Sequence, residues 1–179
     1  MAIVIVDDSR DEQTLLSTRL RAAGYEALMM ADSAEAVLGM LSQDGAGQRK
    51  GEIDLILMDI MLPGVDGLEA CRRIKAIEWL RDIPIIVITV KTDEQALLAA
   101  FAAGAMDYIR KPVNPAELVA RVASALTLKK ERDTRKAREQ ELLMRTQELE
   151  QALREVKVLH GLIPICANCK RVRTDNGDW

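Results

Sequence analysis

The chain has 179 residues, 49% hydrophobic and 30% charged, values of a globular rather than a disordered protein and enough for one ordinary domain with an extension. A net charge of −3 and a pI of about 5.4 give no global electrostatic reason to expect nucleic-acid or membrane binding. No apolar run approaches the roughly 20 residues of a bilayer span, and Met1–Val6 runs into Asp7 and Asp8 without a basic start or a small-residue cleavage site. The reading is cytoplasmic, and three cysteines suit a reducing compartment.

Residues 2–6 (AIVIV) are wholly apolar, mostly β-branched, and suit a parallel strand buried on both faces. A helical pattern follows from about Asp11 to Ala23, closed by Gly24. A weaker strand signal lies at Tyr25–Met30, and Ser33 can cap a helix carrying Ala34, Val37, Leu38 and Leu41. Gln43–Glu52 reads as an exposed loop. Strand runs recur at Ile53–Met58 and Pro84–Ile88, with a weaker one at Met106–Ile109; Gly67–Ile77 and Asp93–Ala103 are helical between them. Asn114-Pro115-Ala116-Glu117 is a strong helix start, with a capping Asn and Pro at the first helical position. Strands alternating with helices predict parallel βαβ units and a doubly wound α/β domain.

In such sheets ligands bind outside the carboxyl ends of the strands. Asp7 and Asp8 follow the first strand, Asp59 the third, Thr89 the fourth, and Lys111-Pro112 the fifth. Clustered carboxylates repel one another and call for a cation; their oxygens suit a hard divalent ion that keeps some waters, Mg²⁺ first among them. Lys111 and Thr89 can contact the oxygens of an incoming phosphoryl group, and a carboxylate can be its acceptor. A single Asp at a strand end is usually a solvated turn or cap, whereas the full set in this order is not.

The segments VDDS (6–9), LILMDIMLPGVDGLEACRRIK (55–75), IIVITV (85–90) and GAMDYIRKPV (104–113) resemble the motifs of the response-regulator receiver family, over about residues 1–126. The resemblance implies a flavodoxin-like five-stranded parallel sheet of order 2-1-3-4-5, with phosphoryl transfer from a sensor histidine kinase or phosphotransfer protein. It implies Asp59 as phosphoacceptor, Asp8 and Asp59 as direct Mg²⁺ ligands, Asp7 through water, and the Met61 backbone carbonyl as a further ligand. Thr89 and Lys111 would hold the phosphoryl oxygens, Tyr108 would be the aromatic switch that answers Thr89, and Lys111-Pro112 would be cis. Val90, where the family often has Ala or Ser, would hinder inward rotation of Tyr108. An ordinary edge-strand aromatic remains the other reading of Tyr108.

From Lys129 to His160 there is neither Gly nor Pro, so the last helix is expected to continue as an extension at 127–160 and stop near His160-Gly161. Leu142, Leu149, Val156 and Ile163 lie seven apart, with Ala152 and Leu159 between them and Arg145 as a flaw. A parallel homodimeric coiled coil is expected; a solitary exposed helix, or one folded back on the receiver, is the alternative. The tail 161–179 holds Cys166 and Cys169 and resembles a cysteine motif of bacterial signalling proteins. It reads as a Zn²⁺ half-site lacking two ligands, with two free thiols as the alternative.

The leading function is a phosphorylation-gated signalling module, not itself an enzyme, that signals through the coiled coil. Its rivals are the regulatory fragment of a larger signalling enzyme, such as a diguanylate cyclase or kinase, and a dimeric metal-binding adaptor.

Overall fold

A computed structural model describes residues 1–43, 53–90, 94–162 and 168. The elements run β1 (Ala2–Val6), α1 (Arg10–Ala22), β2 (Ala27–Ala31), α2 (Ala34–Gln43), β3 (Ile53–Asp59), α3 (Gly67–Ala76), β4 (Ile85–Thr89), α4 (Glu94–Ala102), β5 (Asp107–Arg110) and α5 (Pro115–Leu162). Apart from Gln43, the expected loop at Gln43–Glu52 lies outside the described residues.

The strands pair in parallel in the order β2-β1-β3-β4-β5, the flavodoxin-like topology the motifs imply. Because successive side chains point to opposite faces of a strand, each apolar run feeds two cores. Ile3, Ile5, Leu55, Leu57, Ile86 and Ile88 pack with Leu16 and Leu20 of α1 and Leu118 and Val122 of α5. Val4, Val6, Ile56, Met58, Ile85 and Val87 pack on the other face with Val37, Cys71, Ile74 and Ala100 of α2 to α4. Each such side chain contributes about 1.5–3 kcal/mol when fully buried. The chain steps from β1 outward to β2 and then back across to β3. This reversal opens a crevice beyond the carboxyl ends of β1 and β3.

The helix termini explain where the strands begin. Ser9 caps α1, its hydroxyl accepting from the Glu12 N–H at 3.4 Å. At the other end the Tyr25 N–H reaches the Leu20 carbonyl at 3.0 Å and the Gly24 N–H reaches Arg21 at 2.9 Å, with Gly24 at φ +90°. That turn occupies Tyr25, so β2 starts at Ala27 rather than at Tyr25. Ser33 caps α2 through the Ala36 N–H at 3.3 Å. Asn114 Oδ1 accepts from Ala116 and Glu117 at 2.9 and 3.3 Å, as expected at the start of α5.

The chain divides into two compact units, Met1–Glu131 and Arg132–Trp179. The first holds the sheet and both cores. In the second, α5 continues through the expected stop at His160-Gly161 to Leu162. One Gly costs about 1 kcal/mol relative to Ala and does not by itself end a helix. Every side chain of residues 133–155 is exposed. Among the described residues no helix is long and apolar enough to cross a membrane.

Candidate functional site

The site is assembled by strand parity. Asp59 lies two residues beyond Leu57 and therefore on the same side of the sheet, the side that α1 and α5 cover. Asp7 and Lys111 continue the same alternation just past Ile5 and Ile109. Asp7, Asp59 and Thr89 are buried, whereas Asp8 is exposed at the rim. Carboxylate oxygens of Asp7, Asp8 and Asp59 all lie within 4.8 Å of one another. The Lys111 ammonium donates to Asp7 Oδ2 at 2.8 Å and to Asp59 Oδ2 at 2.6 Å.

Backbone groups hold the remaining oxygens. The Ser9 N–H donates to Asp7 Oδ1, and the Met61 N–H to Asp59 Oδ1, both at 2.9 Å. Met61, the expected carbonyl ligand, is thus tied to the expected phosphoacceptor. Burial pushes the Asp7 carboxyl up, against the pull of its hydrogen bond from Lys111. For Lys111, burial alone would lower its pKa, but the hydrogen bonds and charges of Asp59 and Asp7 outweigh it and hold the ammonium above its ordinary range.

A single cation shared by two buried carboxylates and a third at the rim leaves the pocket with more negative than positive charge. All its donors are hard oxygens. The set fits a Mg²⁺-class ion, which asks for carboxylates, a carbonyl and several waters.

Thr89 closes β4 and is buried; its carbonyl accepts the Lys111 N–H at 2.8 Å. Tyr108 pairs with Val87 in the β4–β5 ladder and so shares Thr89's side of the sheet. Its ring meets Phe101 edge-on, centroids 6.2 Å apart, and the Arg121 guanidinium lies 5.8 Å from the ring centroid. Val90, the expected obstruction, is 59% exposed. Lys111-Pro112 is cis. Cys166 and Cys169, expected as a zinc half-site, lie outside the described residues.

Two residues that support the site went unnoticed in the sequence. The Gln13 amide donates to the Asp7 carbonyl at 2.7 Å and to the Ala31 carbonyl at 2.9 Å, fastening the ends of β1 and β2 beneath the acidic turn. Gly67 opens α3 directly against Asp59: a Cβ there would sit 2.0 Å from the Asp59 carbonyl oxygen. Asp66 caps the same helix, its carboxylate accepting from the Leu68 N–H at 2.9 Å.

The doubly wound sheet thus carries an acidic pocket and a lysine at its carboxyl edge. The family model for the response regulator receiver domain matches residues 3–123, and the chain belongs to this family. It is 40% identical over 157 residues to the cyclic di-GMP phosphodiesterase response regulator RpfG of Xanthomonas campestris pv. campestris, covering 86% of this chain and 40% of that protein. It is 40% identical over 124 residues to the phosphate regulon transcriptional regulatory protein PhoB of Pseudomonas aeruginosa, covering 69% of this chain and 51% of PhoB. The chain therefore spans about half or less of these relatives. Among solved structures, the CheY-like receiver domain protein of Methanospirillum hungatei superimposes with a TM-score of 0.62 at 26% identity, covering 73% of this chain and 97% of that one.

Proposed function

We propose that residues 1–126 form a phosphoacceptor receiver in which Asp59 takes a phosphoryl group from the phosphohistidine of a histidine kinase or phosphotransfer protein. The observation that carries this is Lys111 held at 2.8 and 2.6 Å between the Asp7 and Asp59 carboxylates, with Asp8 at the open rim. An Asp59 carboxylate oxygen attacks phosphorus, the phosphorus–nitrogen bond breaks, and its electron pair leaves with the imidazole. Lys111 then turns from a carboxylate partner to a phosphoryl partner, and the Thr89 hydroxyl takes another phosphoryl oxygen. Asp8, Asp59, the Met61 carbonyl and, through water, Asp7 would hold Mg²⁺, which when bound neutralises charge on the transferring group.

Displacement of Thr89 toward the phosphoryl group would vacate space on the side of the sheet it shares with Tyr108. The edge contact with Phe101 and the Arg121 stack oppose that rotation, so the ring is poised between two environments. The helix at 127–160 forms a homodimer that carries the change onward. Its output is of the signalling-regulator class, two relatives being named as a cyclic di-GMP phosphodiesterase response regulator and a transcriptional regulatory protein.

Acetyl phosphate with Mg²⁺ tests the assignment. A single phosphoryl adduct should appear on the intact protein, fail to form when a chelator is present from the start, and be absent from Asp59→Asn. Equal modification of both proteins would refute it.

A further inference from the structure

Beyond Glu131, α5 carries apolar side chains that no other described residue of its unit covers. Leu142, Leu143, Met144, Leu149 and Leu153 are 59% to 67% exposed within twelve residues. Two heptad seams can be drawn through this stretch. One sets Leu142 and Leu149 at position a, with Arg145 and Ala152 at d. The other sets Leu142 and Leu149 at d, with Thr146 and Leu153 at a.

The two differ in what they would bury. The first takes in the Arg145 guanidinium, which already pairs with Glu141 at 2.7 Å, and leaves Leu153 in water. Burying that charge without a partner inside the seam is costly. The second takes in Leu153 and the Thr146 hydroxyl, which donates to the Leu142 carbonyl at 2.9 Å and so enters the seam satisfied. Val156 follows in the sequence at the next d position.

Charge decides the orientation. In the second seam Arg145 stands at g and Glu150 at e. A parallel pair sets g of one helix against e of the next heptad on the other, so Arg145 meets Glu150 twice. An antiparallel pair that keeps this apolar stripe in register sets g against g, Arg145 against Ala152, and e against e, Leu143 against Glu150, with no opposite charge at either. In the first seam g holds Glu141 and Glu148 and the facing e positions hold Thr146 and Leu153, with no opposite charge.

We propose that a second copy of this chain docks here in parallel, with Leu142 and Leu149 at d, Thr146 and Leu153 at a, and Arg145 facing the partner's Glu150. This rests on the homodimer reading above and fixes its register and direction. It also moves Arg145 from a flaw in the core to the residue that selects the partner's orientation.

Sedimentation equilibrium of the full chain separates register from dimerisation. Leu149→Asp lies in both seams and should give monomer. Leu153→Asp should raise the dimer dissociation constant by at least about tenfold, and Ala152→Asp by less than about threefold. Arg145→Glu and Glu150→Arg should each weaken self-association by about two- to fivefold, while their mixture forms the heterodimer in preference to either homodimer. Disruption by Ala152→Asp but not by Leu153→Asp would overturn the register and leave the helix dimer standing. A heterodimer no better than the homodimers would overturn the parallel pairing. A monomeric wild type, or a dimer that survives Leu149→Asp, would overturn the dimer reading and this one together.

Discussion

The receiver unit and the helical segment after it solve the same problem differently. In Met1–Glu131 every strand finds its neighbours and both its covering layers within the chain, and no buried side-chain polar atom among the described residues lacks a hydrogen-bond partner. From residue 133 to 155 no side chain is buried, and local support comes from exposed i,i+4 pairs such as Glu141–Arg145 and Glu150–Arg154. Such pairs contribute only about 0.3–0.5 kcal/mol each. The first unit is therefore complete as it stands, while the second presents a stripe that becomes a core only against another surface.

Close packing within the receiver gives the largest expected effect. Gly67→Ala would drive a methyl group into the Asp59 carbonyl, a backbone atom that cannot yield without moving β3. A loss of about 3 kcal/mol is expected in chemical denaturation, with phosphorylation at Asp59 impaired as well. A variant as stable as wild type would mean α3 does not approach β3 this closely.

Lys111→Ala should come next. It leaves the Asp7 and Asp59 carboxylates facing each other without their shared ammonium. In chelator the thermal midpoint should fall, and added Mg²⁺ should raise it more in the variant than in wild type, because the cation takes over the neutralisation. Identical Mg²⁺ responses would argue against a cation at this cluster.

A smaller effect concerns Cys71, whose thiol burial pushes from an ordinary 9.0 up to about 12. Between those values the unfolded chain releases a proton that the native thiol keeps, so its contribution is intact below about pH 9 and declines as pH rises from there. Relative to Cys71→Ala, wild type should lose about 1 kcal/mol by about pH 10. Parallel stability curves would contradict the burial.

The smallest effect sharpens the comparison itself. Leu149→Asp should leave the receiver's unfolding free energy within about 0.5 kcal/mol of wild type, since the side chain is exposed within its unit. A large loss in calorimetry would show that this helix is part of the receiver's core.

What the sequence revealed follows the same division. β1, β3 and β4 are legible because strands buried on both faces are apolar throughout, and Asp7, Asp59 and Thr89 are found where those runs stop, while Lys111 follows the weaker run of β5. The edge strands are weaker signals: β2 is only partly buried, and its start shifted once Tyr25 was claimed by the turn that ends α1. Gln13 and Gly67 were missed for another reason. Each acts through approach to a carbonyl on a separate element, and composition carries no trace of such proximity. In the helix, Leu142 and Leu149 are visible by spacing. The choice between Ala152 and Leu153 as their companion needed the exposure, the Thr146 bond and the charge geometry.

The claim at the centre is that the group between Lys111 and the acidic rim is the phosphoacceptor. Reduction of the acetyl phosphate-treated protein with borohydride, followed by peptide mass mapping, tests it at residue resolution. Homoserine at position 59, formed only when Mg²⁺ is present, is the predicted result. Homoserine at position 7 or 8, or an unreduced phosphoryl group on a hydroxyl such as Thr89 with position 59 untouched, would contradict it.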